Sequence, residues 1–243
     1  MPNVRRYAIL ALLALAAGCR LDIADPTKPA RSVAADVQVS TRGHRGADST
    51  AVLAAFYSLD GGERIDFRSD TLRVQNVIGK RSGSLNPSFI AQVPLDSAAL
   101  VGGLRVRLPV PTLGAVPHSE FTLFSAAPSG SPSVTLRAGQ DLALPVVRGS
   151  SGTLPAPELE RWSVSFSRGG QSISIWGNGP LPSPVLVPWV LIPKAGSDTM
   201  QVVVSSDRQF RFDSPPPIGL TSPRLVTTLR ADATLEWSVV IVP

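Results

Sequence analysis

The sequence predicts an all-β protein built as two tandem antiparallel β-sandwich domains, and three observations carry this. Apolar and polar residues alternate over short runs, as at Val52, Ala54 and Phe56 or at Leu104, Val106 and Leu108, which is the period of a strand with one buried face. Turn formers punctuate those runs: 23 Pro and 20 Gly fall largely between them, the pattern of many short connections. Apolar residues make up 43% of the chain and charged residues only 17%, so it buries a core rather than staying disordered.

Taken in order, residues 19–32 carry two prolines and mixed charge without a period, and read as an extended tether. Residues 33–40 follow as a strand with Val33, Val37 and Val39 on one side, then a polar loop over 41–49 and a strand over 50–59. The Asp60-Gly61-Gly62 turn leads to short strands at 64–68 and 71–78, a loop at 80–88, and strands at 89–95 and 104–110. In the last of these Arg105 and Arg107 face out between the inward leucines and valine. A single helical turn is expected at 96–100. Strands at 120–125, 133–138 and 142–147 complete a first domain over 33–148. Residues 149–157, rich in Gly, Ser and Pro, read as a linker.

In the second domain, 158–243, Trp162, Val164 and Phe166 share a face opposite Ser163, Ser165 and Ser167. A strand over 171–176 comes next. Residues 185–192 are apolar throughout, as a strand covered on both faces would be. Separate strands are expected at 200–205, 209–212, 224–230 and 234–242, the last with Leu235, Trp237, Val239 and Ile241 inward. The two halves share a short repeat. Thr135-Leu136-Arg137-Ala138 followed by Leu142 and Val146-Val147 matches Thr228-Leu229-Arg230-Ala231 followed by Leu235 and Val239-Val240 at one constant offset. A tandem duplication would place this motif at the closing hairpin of each domain, and a repeat of that size fits one immunoglobulin-like sandwich.

The N-terminus addresses the chain. Arg5 and Arg6 precede an apolar run that ends at Gly18-Cys19, the plan of a secretory signal peptide over residues 1–18. The run is too short for a bilayer-spanning helix, which needs about 20 apolar residues. The ending Leu15-Ala16-Ala17-Gly18-Cys19 resembles the lipobox of bacterial lipoproteins, in which the cysteine is acylated and becomes the new N-terminus. Ala16 stands where that family usually has Leu. The resemblance implies lipidation at Cys19, with diacylglycerol and palmitate chains holding the protein on a membrane. Arg20, where Asp would favour retention in the inner membrane, implies the outer membrane. Cys19 is the only cysteine, so the mature fold holds together by packing alone.

The remaining residues argue mostly against local chemistry. His44 and His118 lie in expected loops without a neighbouring His, Cys or acidic cluster, so no metal site is expected. No GxSxG elbow occurs, and Gly79-Lys80-Arg81-Ser82 lacks the upstream glycine and following hydroxyl of a phosphate loop. Asp60, Glu63, Asp66 and Asp70 do not follow the order of a calcium loop. The formal charge of +5 falls further once the signal leaves, and no basic stretch remains, which makes nucleic acid a poor partner. No cofactor is expected.

The four tryptophans all lie in the second half. Trp162 and Trp237 sit on apolar faces and read as core; Trp189 lies in the run apolar throughout. Trp176 shares its face with Ser172 and Ser174, away from Ile173 and Ile175, and opens a loop rich in Pro and Gly. It is either a structural residue covered by that loop or the candidate binding residue, stacking on a glycan or a partner protein. The sequence thus points to a lipid-anchored, non-catalytic binding or structural module of the cell envelope, tied to the membrane by its N-terminal lipid. A hydrolase with a loop-assembled site and a carbohydrate-binding surface protein are the alternatives.

Overall fold

The computed structural model describes residues 23–24, 32–43, 48–59, 62, 64–65, 71–82, 88–94, 102–108, 120–148, 153–192, 198–214 and 224–243. Cys19, both histidines, the four acidic residues of 60–70 and the helical turn expected at 96–100 lie outside them. The described chain is all-β. Its strands begin with β1 (Ile23–Ala24), β2 (Ser32–Gly43), β3 (Ser49–Ser58), β4 (Arg64–Ile65), β5 (Arg73–Val74), β6 (Val77–Ile78), β7 (Lys80–Ser82) and β8 (Ser88–Pro94). They continue with β9 (Leu104–Arg107), β10 (Glu120–Leu123), β11 (Ala126–Pro128), β12 (Ser133–Arg137), β13 (Leu142–Leu144) and β14 (Val146–Arg148). The last five are β15 (Leu159–Arg168), β16 (Gln171–Asn178), β17 (Val185–Val187), β18 (Thr199–Ser214) and β19 (Arg224–Val242).

Strand β19 is the axis of the molecule. Along one side it pairs antiparallel with β18, from Thr199↔Val240 to Ser214↔Leu225. Along the other it pairs in parallel, first with β2 and then, at Ser238 to Val242, with β12. The sheet is therefore mixed, and the expectation of purely antiparallel pairing fails at β19. The reason is connectivity: β18 and β19 are successive strands and meet antiparallel, whereas β2 and β12 arrive from the first half of the chain through long connections, which permit parallel pairing. β15 and then β16 extend the sheet beyond β18, while β3, β4 and β8 extend it beyond β2.

Two apolar cores form on the same face of this one sheet. In the first, Val33, Val37 and Val39 of β2, Phe56 of β3, Phe210 of β18, and Leu225 and Leu229 of β19 pack against Leu72, Val74, Val106 and Phe121, which are carried by or flank the small sheet β10-β9-β5-β6. In the second, Val164, Phe166, Val202, Val204, Leu235 and Trp237 pack against Leu142, Leu144, Val146, Val185 and Val187 of the pairs β11–β14 and β13–β17. Each core draws on both halves of the chain. The division expected at 149–157 is not the division of the cores, and Leu154 of that stretch is itself buried in the first.

What separates the cores is a polar seam on the inner face. Thr41, Thr50, Ser125 and Ser206 are all buried there. Ser125 Oγ donates to Thr41 Oγ1 at 3.1 Å, and Thr41 Oγ1 lies 3.2 Å from Thr50 Oγ1, so the hydroxyls of Thr41, Thr50 and Ser125 satisfy one another. Arg208 lies beside them, opposite Glu160 in register. Its guanidinium donates to the carbonyl of Phe124 and stands 5.6 Å over the Phe210 ring. Burial draws the Arg208 guanidinium below its ordinary range, with Glu160 opposing and Arg148 adding to the shift, yet an arginine remains charged at neutral pH.

The seam also explains two other departures. The sequence reading broke strands at Ser206–Arg208 and at Ala231–Ala233, but β18 and β19 run straight through both places. Consequently the second Thr-Leu-Arg-Ala motif lies in mid-strand, paired with Asp36 to Val39, and leads into no hairpin. The first closes no hairpin either: β12 pairs with β19, while β13 pairs with β17. The run over 185–192 is not covered on both faces, since Leu186 is 61% and Val190 is 76% exposed. It forms β17 and then a short 3-10 turn at Trp189–Leu191.

Candidate functional site

The outer face of the second half is polar, and Trp176 stands on it. Period-two geometry puts Trp176, Ser163, Ser205 and Thr234 side by side across β16, β15, β18 and β19. The next row on the same face is Asn178, Arg161, Asp207 and Asp232. Directly opposite residues in neighbouring strands lie close enough to act together. With Arg230, these side chains bound a depression of about 530 Å³.

Electrostatics hold this floor in place. Asp207 accepts from Arg161 through Nη2 at 2.9 Å and Nε at 3.2 Å. Arg230 Nε reaches its other oxygen at 3.3 Å. The Asp207 carboxylate is thus gripped from two sides, its side chain only 15% exposed while the guanidiniums stay about half exposed. Asp232 faces Asp207 directly in register, and Gln38 Nε2 donates to it at 3.4 Å. These pairings compensate the like charges of Asp207 and Asp232, which would otherwise oppose strand pairing here.

Trp176 is 78% exposed. The loop that follows does not cover it, because the loop turns to the inner side of the sheet. Leu181 is buried in the second core, and the Ser183 hydroxyl donates to the carbonyl of Val146 at 2.6 Å. Beneath the site, Trp162 lies on the inner face against Gly177, its register partner. A Cβ on Gly177 would come within 2.6 Å of the Trp162 ring, so only glycine lets the indole lie flat on β16. Of the other tryptophans, Trp237 is fully buried, and Trp162 and Trp189 are partly buried against the second core.

No known family's model matches this chain, and no curated protein matches it.

A second depression, of about 540 Å³, lies beside the first core and is lined by Glu120, Phe121, Thr153, Leu154, Pro155, Phe212 and Asp213. Glu120 there is tied to Arg105 at 3.0 Å. Among the described residues no group of three or more metal-ligating side chains converges, and no helix is long and apolar enough to cross a membrane. Residues 80–82, expected as the start of a loop over 80–88, are strand instead, because Lys80 to Ser82 pair with β8. Of the residues that line the first depression, sequence reasoning singles out Trp176 and not Arg161, Asp207, Arg230 or Asp232. Arg161 was legible, since it shares parity with Ser163 and Ser165. Asp207 and Asp232 fell in segments read as strand breaks, and Arg230 at the last position before one.

Proposed function

We propose that this chain is a lipid-anchored module of the cell envelope whose work is binding, carried out through the outer face of the sheet around Trp176. The signal-like run ending at Cys19 supports the anchor, Arg20 supports the outer membrane, and residues 19–32 serve as the tether. Multiple acyl chains on one cysteine give durable attachment where one chain holds only marginally. The two packed layers act as sandwich-like supports, one over each core, that keep the binding face flat and fixed.

The observation that carries the binding reading is the exposed indole of Trp176 on a regular strand. An aromatic of this size contributes far more when buried than when left in water, and here its backbone is already held in a paired strand before any partner arrives. Mass spectrometry of the purified protein tests the anchor: the expected N-terminus is acylated Cys19, and Cys19→Ser should release the protein from the membrane or block its maturation. A photo-crosslinking residue at position 176, used in the intact envelope, tests the face. The expected result is a discrete crosslinked product, absent when the label sits at Ala143, exposed on the layer that covers the second core. Equal labelling at both positions would sink the binding reading.

A further inference from the structure

We infer that the Trp176 face binds a neutral saccharide. This deepens the binding-module reading and rests on it. Three features of the face converge on that chemistry.

The first is the large aromatic plane of Trp176, 78% exposed on the outer face, with hydroxyls and an amide within the same depression. A pyranose ring has an apolar C–H face that can lie on an indole and a rim of hydroxyls that needs hydrogen-bond partners. Trp176 offers the plane. Ser163, Ser205, Thr234 and Asn178 offer hydroxyls and an amide, each both donor and acceptor.

The second feature is charge. Arg161 and Arg230 are matched by Asp207 and Asp232, so the charged residues of the depression cancel. A nucleic acid, polyphosphate or acidic polymer needs a net positive surface, and this one has none. What remains is an array of fixed donors and acceptors. The guanidiniums are about half exposed, held at fixed angles by Asp207, and each has more N–H groups than that carboxylate engages.

The third is shape. The depression of about 530 Å³ lies on a regular four-strand surface. Its volume falls in the range of small-ligand sites, roughly 300–1,000 Å³. The site runs across β16, β15, β18 and β19, so a short stretch of a linear glycan laid across the strands meets Trp176 first and the Arg161–Asp207–Arg230 cluster beside it.

The test uses the full-length mature protein in a detergent without sugar headgroups. The probes are neutral linear hexasaccharides of glucose, N-acetylglucosamine, xylose and mannose, with heparin and polygalacturonate as anionic counter-probes. Calorimetry and tryptophan fluorescence read binding. The expected result is saturable binding of at least one neutral hexasaccharide, little changed by salt. It should be weakened about tenfold or more by Trp176→Ala, less by Trp176→Phe, and also by Arg161→Ala, with melting temperature unchanged in the Trp176 variants. Failure of every neutral probe to bind overturns the inference. So does equal binding to Trp176→Ala, or salt-sensitive binding of the anionic probes through Trp176. A position-176 crosslink to an envelope protein, without saccharide binding, would remove the sugar and leave the binding module standing; loss of both would remove both.

Discussion

At the scale of single residues, three aromatic positions in one half of the chain have three different fates. Trp176 rests on a polar face and touches no core, so Trp176→Ala should change stability by about 0.5 kcal/mol or less. Trp237 is fully buried among Val202, Leu235 and Val239 in the second core, and Trp237→Ala should cost about 3–5 kcal/mol. Denaturant melts of the two variants side by side check the contrast; equal losses would mean Trp176 is structural after all. Trp162, seated against Gly177, is the third case. The glycine's missing Cβ is the space in which Trp162 lies, and a rigid ring cannot yield as a flexible side chain can. Gly177→Ala should therefore destabilise by about 1–3 kcal/mol through overpacking. It should also weaken any ligand held by the adjacent Trp176, measurable in the same saccharide titration.

At the scale of elements, β18 shows how a strand crosses between two cores. Its inner face changes from Met200, Val202 and Val204 to Ser206 and Arg208 before returning to Phe210. Read as sequence, that interruption looks like the end of one strand and the start of another. In the fold Arg208 finds the Phe124 carbonyl on the covering side, and the backbone ladder to β15 and β19 runs unbroken through both Ser206 and Arg208. Arg208 is the test. Truncation to Ala leaves the Phe124 carbonyl without its donor, leaves Glu160 with Arg148 as its remaining neighbouring cation, and removes packing on Phe210. The expected loss is about 2–4 kcal/mol in chemical denaturation. The pair of changes Arg208→Met and Glu160→Gln should recover much of it, because neither charge is then left uncompensated. Arg148 loses a neighbour at 3.9 Å in that variant but remains in water. A double variant as unstable as Arg208→Ala would show that the seam depends on the charges themselves.

At the scale of the whole molecule, β18 and β19 bind the two cores into one structure. A chain cut at 149–157 would leave residues 158–243 without β2 and β12, which pair with β19, and without the layer built by β11, β13 and β14. Expressed alone, 33–148 and 158–243 should each fail to give a cooperative melt, and mixing them should restore one. Intact protein should unfold in a single calorimetric transition, since no core can open without exposing a strand that serves the other. Two separable transitions would instead restore the consecutive two-domain reading.

The sequence by itself determined the class of the fold and most of its local pattern. The inward positions of Val52, Ala54, Phe56, Leu104, Val106 and Leu108 follow from period-two alternation, and all are buried. The same rule put Trp176 on the polar side of its strand. These are local properties, fixed by the two-residue repeat of a β-strand. Tertiary structure alone decided which strands meet. Pairing of β19 with β2 and β12 joins residues far apart in the chain, and nothing in a local period specifies such a partner. It also decided that the loop after Trp176 would anchor through Leu181 on the inner side, leaving the indole open. Finally, it drew Arg161, Asp207, Arg230 and Asp232 from three strands into one cluster, because a site built across a sheet exists only once the register is set.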